Sequence, residues 1–394
     1  MPPTLPRFSW NPRCALRACA GTNRQNQDHQ NDVHELRLAI DAGHGLCLAN
    51  GTPIAKTGQT GLLLCETGGS TGRPKLIRRQ HASWIASFEI NRTLFDITPA
   101  DCVAVFGGLR HSLALYAVVE AAHIGADICM LAGLRPTTQC DELIHQKTTL
   151  LYITPTQLKI LARTDAVCPD VRQIIIGGGA VRHQERAAAK VSFPNAVLTQ
   201  FYGASETSFI AIANAATPDG SVGAAYPNVT VQFTDKNGLS HPNAGEIWVK
   251  SPYLFDGYAQ GHSADTQIKD GFVTVGEMGH MDAAGNLFLQ GRKSRMVTVA
   301  DHNVFPEDIE HFVAEHFQVE HAVVLAEPDA LRGHSLTVIV QAGTADLAEI
   351  QRHCRAHFGP IKTPRRALHI DQMPVLPSGK PDLITLTTWL ETQE

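Results

Sequence analysis

The residues best suited to gripping an anion are TGGSTGRPK, positions 67–75: Thr67, Gly68, Gly69, Ser70, Thr71, Gly72 and Lys75. Backbone without Cβ approaches an anion closely and aims several N–H groups at it, while hydroxyls add donors and a lysine adds charge. The pattern G-x-x-x-x-G-K-[ST] is not met, because Gly72 is followed by Arg73, Pro74 and Lys75, and PKLIRRQH reads as a strand rather than a helix opening. The fingerprint G-x-G-x-x-G is absent too. Taken alone, the loop is either a phosphate grip or a polar turn between two strands. Other chemistry-bearing residues stand at intervals after it: His111 before an apolar run, the bare turn GGGAVR (177–182), the carboxylate of FYGASET (201–207), and Lys380 in PSGKPD (377–382).

Elements able to position these residues are legible around them. From about residue 60 to 215, apolar runs alternate with amphipathic stretches. CVAVFGG (102–108), ADICML (126–131), TLLYIT (149–154) and RQIIIGGG (172–179) read as buried strands, with LALYAVVEAAHIG (113–125) and TPTQLKILAR (154–163) as helices. That rhythm predicts an α/β fold with parallel sheet covered by helices. After residue 220, VTVQFTD, GEIWVKS, GFVTVG and NLFLQG predict an antiparallel β-subdomain. A small α+β unit follows, with helices over 305–317 and near 346–357 and strands at 321–327 and 335–341; GRKSR (291–295) is the linker into it. The expected division is a short N-terminal segment 1–60, a core domain 61–292 and a small mobile C-terminal domain 293–394.

Composition narrows the class. Lys and Arg number 33 against 38 Asp and Glu, a net charge of -5, which gives no electrostatic case for nucleic acid or an anionic membrane. No apolar stretch is long enough to span a bilayer. The nine cysteines form no C-x-x-C pair and several sit in apolar runs, so a reducing, cytoplasmic compartment is expected. Nineteen histidines show no zinc spacing. The N-terminus, with four arginines and no acidic residue before Asp28, faintly resembles a transit peptide, but it reads as a frayed tail rich in Pro and Asn.

TGGSTGRPK closely resembles the Thr/Ser/Gly-rich phosphate loop of the adenylate-forming superfamily, which includes acyl- and aryl-CoA synthetases. GGGAVR, FYGASET, GEIWVKSPYLFDGY (245–258), VGEMGHMDAAGNLFLQGRKSRMV (275–297) and PSGKPD resemble that family's further segments, in its order. The resemblance implies a ligase that joins a carboxylate to the α-phosphate of ATP, releases pyrophosphate, and passes the acyl group to the thiol of coenzyme A or of a carrier protein. It implies that Thr67–Lys75 grips the β- and γ-phosphates and that Glu206 holds Mg2+. Tyr202, with Gly203 and Ser205 beside it, stacks on adenine over Gly178, Gly179 and Ala180. Glu277, where the family has Asp, bonds the ribose hydroxyls, and Arg292 contacts ribose and phosphate. Lys380 bridges the reacting carboxylate and α-phosphate, and His111 gates the acyl pocket.

Three departures accompany it. Only about sixty residues precede the loop, so part of the first sheet and one wall of the acyl pocket are expected to be missing, shortened or supplied by a partner chain. Ser294 stands where the family has a hinge aspartate. Ala300-Asp301 replaces a glycine-containing turn near the incoming thiol, which places the second half-reaction in more doubt than the first. An acyl carrier protein would dock on Arg292, Lys293 and Arg295, and a homodimer is left open. A degenerate nucleotide-binding protein is the alternative from another class, against which Lys75, Glu206, Arg292 and Lys380 are all retained. SFIAIAN (208–214) favours an apolar pocket wall, hence an aromatic or aliphatic acid.

Overall fold

The computed structural model describes residues 5–49, 52–56, 59–67, 75–235, 238–341, 345–376 and 381–393. Gly68, Gly69, Ser70, Thr71, Gly72 and Lys380 lie outside them. The chain divides into two compact units, Met1–Gln232 with Trp248–Val275 and Met281–Phe288, and Phe233–Ile247 with Gly276–His280 and Leu289–Glu394.

The predicted parallel sheet is the spine of the first unit. Strands Asp127–Met130, Cys102–Val105, Leu150–Ile153, Gln173–Ile176 and Val197–Ala204 lie side by side in that order, all parallel. Val103 and Val105 enter one apolar cluster while Cys102 and Ala104 enter another, the period-two alternation of a sheet buried on both faces. Helices Ser112–Ile124, Pro136–His145, Pro155–Leu161 and His183–Ser192 connect the strands. Ser112–Ile124 is buried around nearly its whole circumference, as an apolar helix must be. It packs in the same cluster as Leu46, Leu63 and Ile77 of a second sheet. That sheet runs Gly257–Gln260, Lys75–Gln80, Leu62–Thr67, Gly45–Ala49, Thr52–Lys56. Only its Gly45–Ala49 and Leu62–Thr67 pair is parallel, so it is mixed rather than a second parallel sheet.

The N-terminal residues are not a frayed tail. Phe8, Trp10 and Cys14 are buried, and Asn23 caps a helix over Arg24–Asp41. Around Leu16 the chain adds a parallel bridge to Ile128, with Arg17 N–H donating to the Ile128 carbonyl at 2.8 Å and Ile128 N–H to the Ala15 carbonyl at 2.9 Å. Arg17 Nε pairs with Asp127 at 2.8 Å, and buried Asn26 donates to the carbonyls of Met130 and Ala132 at 2.8 and 2.9 Å. The segment covers the open edge of the parallel sheet, where unpaired backbone groups would otherwise face outward. Its ordering comes from partners more than 100 residues away, which local periodicity cannot reveal. All nine cysteines are buried and free.

One ion pair ties the sheet's entry together. Asp101 sits before strand Cys102–Val105 and takes Arg172 Nε at 3.1 Å and NH2 at 2.9 Å, Thr98 N–H at 2.8 Å and Thr149 Oγ1 at 2.8 Å. Arg172 also donates to the carbonyls of Phe95 and Asp96. Burial alone would raise the Asp101 pKa, but the Arg172 hydrogen bonds and those from Thr98 and Thr149 outweigh it and hold the carboxyl below its usual range.

The second unit contains the elements of the predicted α+β unit, together with Phe233–Ile247 and Gly276–His280, which the sequence analysis assigns to the core domain. Strands Ala322–Asp329 and Gly333–Gln341 pair antiparallel, and Arg366–Ile370 joins Gly333–Gln341 in parallel. Helix Pro306–His316 packs on this sheet, with Ile309 and Val313 in its cluster. The helix predicted near 346–357 runs Leu347–Lys362 across a kink at Gly359, φ 78°, where Pro360 interrupts the backbone ladder.

Arg172→Ala is expected to cost about 2 kcal/mol in urea denaturation at pH 7, below the usual range for a broken buried pair because the arginine is a third exposed. Because the folded-state pKa of Asp101 is depressed, its contribution is intact above the unfolded value of about 4 and is lost as pH falls through the lower folded value. The difference between wild type and variant should therefore close as the titration proceeds below about pH 4.

Candidate functional site

The sequence-derived residues of the first unit collect at the carboxyl ends of its parallel strands. His111 lies in the connection leaving Cys102–Val105, and Gly178, Gly179 and Ala180 follow Gln173–Ile176 and are exposed. Tyr202 and Gly203 lie in the last turn of Val197–Ala204, with Ser205 and Glu206 just beyond. The chain order reverses between Cys102–Val105 and Leu150–Ile153, the kind of switch point at which open α/β sheets leave a crevice.

Glu206 is held at the tip of a tight hairpin between Val197–Ala204 and Ser208–Ala213. Gly203 is required there, since a Cβ would stand 1.7 Å from the Ser208 carbonyl oxygen. Ser208 adopts φ 56°, a left-handed conformation that costs a non-glycine residue about 1 kcal/mol or more. Its hydroxyl is fixed by Arg79 NH1 at 2.9 Å and Trp84 Nε1 at 3.1 Å, and it donates to the Tyr253 carbonyl at 3.1 Å. The Glu206 carbonyl accepts from Phe255 N–H at 2.9 Å, and its Oε1 accepts from the Tyr258 hydroxyl at 2.7 Å.

The strands that carry the glycine-rich loop are fixed to the same place. Thr67 and Lys75 are paired partners at the ends of antiparallel strands, so both ends of the loop are held. Lys75 Nζ lies 5.9 Å from the centre of the Tyr258 ring. Ser112, next to His111, brings its hydroxyl to 3.2 Å from that of Ser205. His111 meets solvent in part, but the packing around its ring, then repulsion from Arg110 and His29, hold it below its ordinary pKa. It stands as the neutral imidazole near pH 7.

Arg79 and Tyr258 are the functional residues that sequence reasoning missed. Arg79 is fully buried beneath the hairpin and donates to the carbonyls of Ser205 and Tyr253 and to Ser83. Tyr258 was legible only as the end of GEIWVKSPYLFDGY, 52 residues from the carboxylate it touches.

Glu277 and Arg292 belong to the second unit and lie together, Arg292 NH2 3.7 Å from Glu277 Oε1. The other two bases proposed for docking a carrier protein are also engaged: Lys293 Nζ with Glu246 at 2.8 Å, Arg295 with Glu310 at 2.7 Å and Glu307 at 3.4 Å. Ala300 and Asp301 have φ 47° and 64°, so the backbone keeps the left-handed turn without glycine. Val375 and Pro381 form an isolated antiparallel bridge.

The residues present fit a magnesium–nucleotide complex. One oxygen of Glu206 is committed to Tyr258, and the other accepts no hydrogen bond among the described residues. Mg2+ keeps most of its waters and takes one or two carboxylates with phosphate oxygens, so a single carboxylate beside a phosphate loop suffices. Among the described residues no cluster of three or more His, Cys, Asp or Glu forms a metal cage.

A family model described as AMP-binding enzyme matches residues 20–259, and one for the AMP-binding enzyme C-terminal domain matches 308–380. An uncharacterized acyl–CoA ligase of Bacillus subtilis (strain 168), YhfT, is 31% identical over 330 residues, 82% of this chain and 68% of its own length. Indoleacetate–CoA ligase of Aromatoleum aromaticum is 27% identical over 340 residues, 82% of this chain and 66% of its own. Among solved structures, the amide bond synthetase McbA from Marinactinospora thermotolerans superposes with a TM-score of 0.73 at 26% identity, covering 86% of this chain and 72% of that one. The o-succinylbenzoate-CoA synthetase MenE of Bacillus subtilis, solved with its acyl-adenylate, superposes at 0.72 and 22% identity over 82% of this chain and 68% of that one, a likeness of fold.

Gly203→Ala is expected to destabilise the protein by at least about 2 kcal/mol, as steric clashes with backbone do, and to displace the Glu206 turn. Thermal unfolding and magnesium–ATP binding of the variant, measured together, check both effects.

Proposed function

The chain belongs to the AMP-binding enzyme family, as an acyl–CoA synthetase-like member of the adenylate-forming superfamily, and from that premise we propose the following reaction and residue roles. The family chemistry is ATP-dependent ligation of an acid to coenzyme A. A carboxylate oxygen attacks the α-phosphorus of ATP, the bond to the pyrophosphate oxygen breaks, and acyl-AMP forms. The sulfur of a thiolate then attacks the acyl carbon, and AMP leaves. The observation that carries the reading is the convergence of the Glu206 hairpin, the Gly178–Ala180 turn and the Thr67–Lys75 strand ends in one unit.

The roles follow the family resemblance. The loop ends at Thr67 and Lys75 hold the donors for the β- and γ-phosphates. Tyr202 and the exposed turn of Gly178, Gly179 and Ala180 receive the adenine, and Glu277 and Arg292 receive the ribose. Glu206 holds Mg2+, which when bound neutralises charge on the phosphate oxygens and the departing pyrophosphate. Lys380 supplies a cation to the carboxylate and α-phosphate oxygens, where charge develops; a donor of this kind is worth about 10²–10³ in rate. His111, uncharged, stands at the entry of the apolar helix and borders the acyl group. Strand Ser208–Ala213 presents Phe209, Ile210, Ala211 and Ala213 as buried residues, which supports an aromatic or aliphatic acid.

Free coenzyme A is the preferred acceptor. Two of the relatives are named as ligases to coenzyme A, and the bases that would greet an acidic carrier are already matched by Glu277, Glu246, Glu307 and Glu310. Among the described residues no helix is long and apolar enough to cross a membrane.

Carboxylate-dependent ATP–pyrophosphate exchange across a panel of aromatic and aliphatic acids tests the first half-reaction; no exchange with any of them would sink the reading. Lys380→Ala is expected to lower exchange by about 10²-fold or more while ATP binding persists. Ala300→Gly is expected to raise thioester formation with coenzyme A and leave exchange unchanged, because it removes a side chain beside the incoming thiol without altering the turn.

A further inference from the structure

We propose that Tyr258 is a positioning residue for the metal–nucleotide complex: it separates Lys75 from Glu206 and reserves one oxygen of Glu206 for the cation. The inference rests on the reading of Glu206 as the Mg2+ ligand. Tyr258 lies on strand Gly257–Gln260, which pairs antiparallel with Lys75–Gln80, so its ring stands beside the strand that leaves the phosphate loop. The ring faces the Lys75 ammonium at 5.9 Å from its centre, and the hydroxyl reaches Glu206 Oε1 at 2.7 Å. The hydroxyl is also 3.0 Å from Thr266 Oγ1. Tyrosine has one hydrogen to give, and the carboxylate can only accept it, so the Thr266 hydroxyl donates to the tyrosine oxygen and fixes the direction of the bond.

The consequence is a division of labour. A lysine and a glutamate this close to one side chain would otherwise pair with each other and present the phosphates and the cation with a neutral couple. No ion pair joins them among the described residues. Tyr258 gives each a separate partner, the ring face for the ammonium and the hydroxyl for the carboxylate. With Oε1 occupied, Glu206 would hold the cation with its remaining oxygen, which suits an ion that takes few carboxylates and keeps its waters.

Calorimetry of ATP binding, in EDTA and again with Mg2+ or Mn2+, separates the metal's contribution from that of the nucleotide. Tyr258→Phe keeps the ring and removes the donor. Its affinity for metal-free ATP should stay within about twofold of wild type, while the gain on adding metal should fall about tenfold, the usual worth of a hydrogen bond to a charged group. Tyr258→Leu, which removes the ring as well, should also weaken metal-free ATP severalfold, since Lys75 is then drawn to Glu206. Thr266→Val leaves Tyr258 in place and should reproduce the Tyr258→Phe effect at smaller size, so the idea stays testable if Tyr258 variants fold poorly. Glu206→Gln should lose the metal's contribution entirely. An undiminished contribution in Glu206→Gln overturns the assignment of the cation to that carboxylate. If that variant loses the contribution and Tyr258→Phe and Thr266→Val keep it, the role of Tyr258 is overturned.

Discussion

A buried positive charge that forms no ion pair among the described residues is the constraint around which the first unit is arranged. Arg79 has no exposed surface, and burial pulls its pKa down from the ordinary value of a guanidinium. Its NH1 and NH2 groups donate to the Ser205 and Tyr253 carbonyls and to the hydroxyls of Ser83 and Ser208, its Nε has no hydrogen-bond partner among the described residues, and its guanidinium carbon lies 5.0 Å from the centre of the Trp84 ring. Neutral oxygens must therefore be brought from three separate segments to the strand that carries the arginine, since leaving a buried charge unsolvated costs several kcal/mol. Each of those segments serves the site: the strand after the phosphate loop, the helix His81–Leu94, the hairpin with Glu206, and the chain leading to Tyr258. Solvating one cation aligns them.

In the second unit, as at Arg17 and Arg172 of the first, positive charges are met by carboxylates. Arg295 is held by Glu310, which also accepts Val324 N–H at 2.8 Å, and the Arg292 N–H donates to Glu307 at 3.3 Å. Ser294 stands where the resembled family has a hinge aspartate, and the ion pairs of Lys293 with Glu246 and of Arg295 with Glu310 lie on either side of it. Glu307 is pushed upward by burial against the pull of Arg295.

The sheet strands, most helices and the order of the site segments were legible because each depends on residues close in sequence: runs such as LLYI and QIII are buried whatever else the chain does. The Glu206 turn was legible as a motif. Arg79 was not, because arginine normally marks a surface and nothing local signals that three distant oxygens await it. The contact between Tyr258 and Glu206 was hidden for the same reason. The N-terminal residues were misread as a tail because Phe8, Trp10 and Asn26 owe their burial to strands and helices much further along. Gly68–Gly72 and Lys380 fall outside the described residues, so their roles rest on sequence resemblance.

The edge contact between the N-terminal segment and Asp127–Met130 also orders events in time. Residues 15–17 leave the ribosome more than a hundred residues before Ile128, the strand position that hydrogen-bonds them. Loops of that length close slowly, and contacts between distant residues slow folding as a whole. Residues 15–17 thus wait for a partner made more than a hundred residues later. Until Asp127–Met130 has emerged, the backbone hydrogen bonds of residues 15–17 have no partner strand to close on.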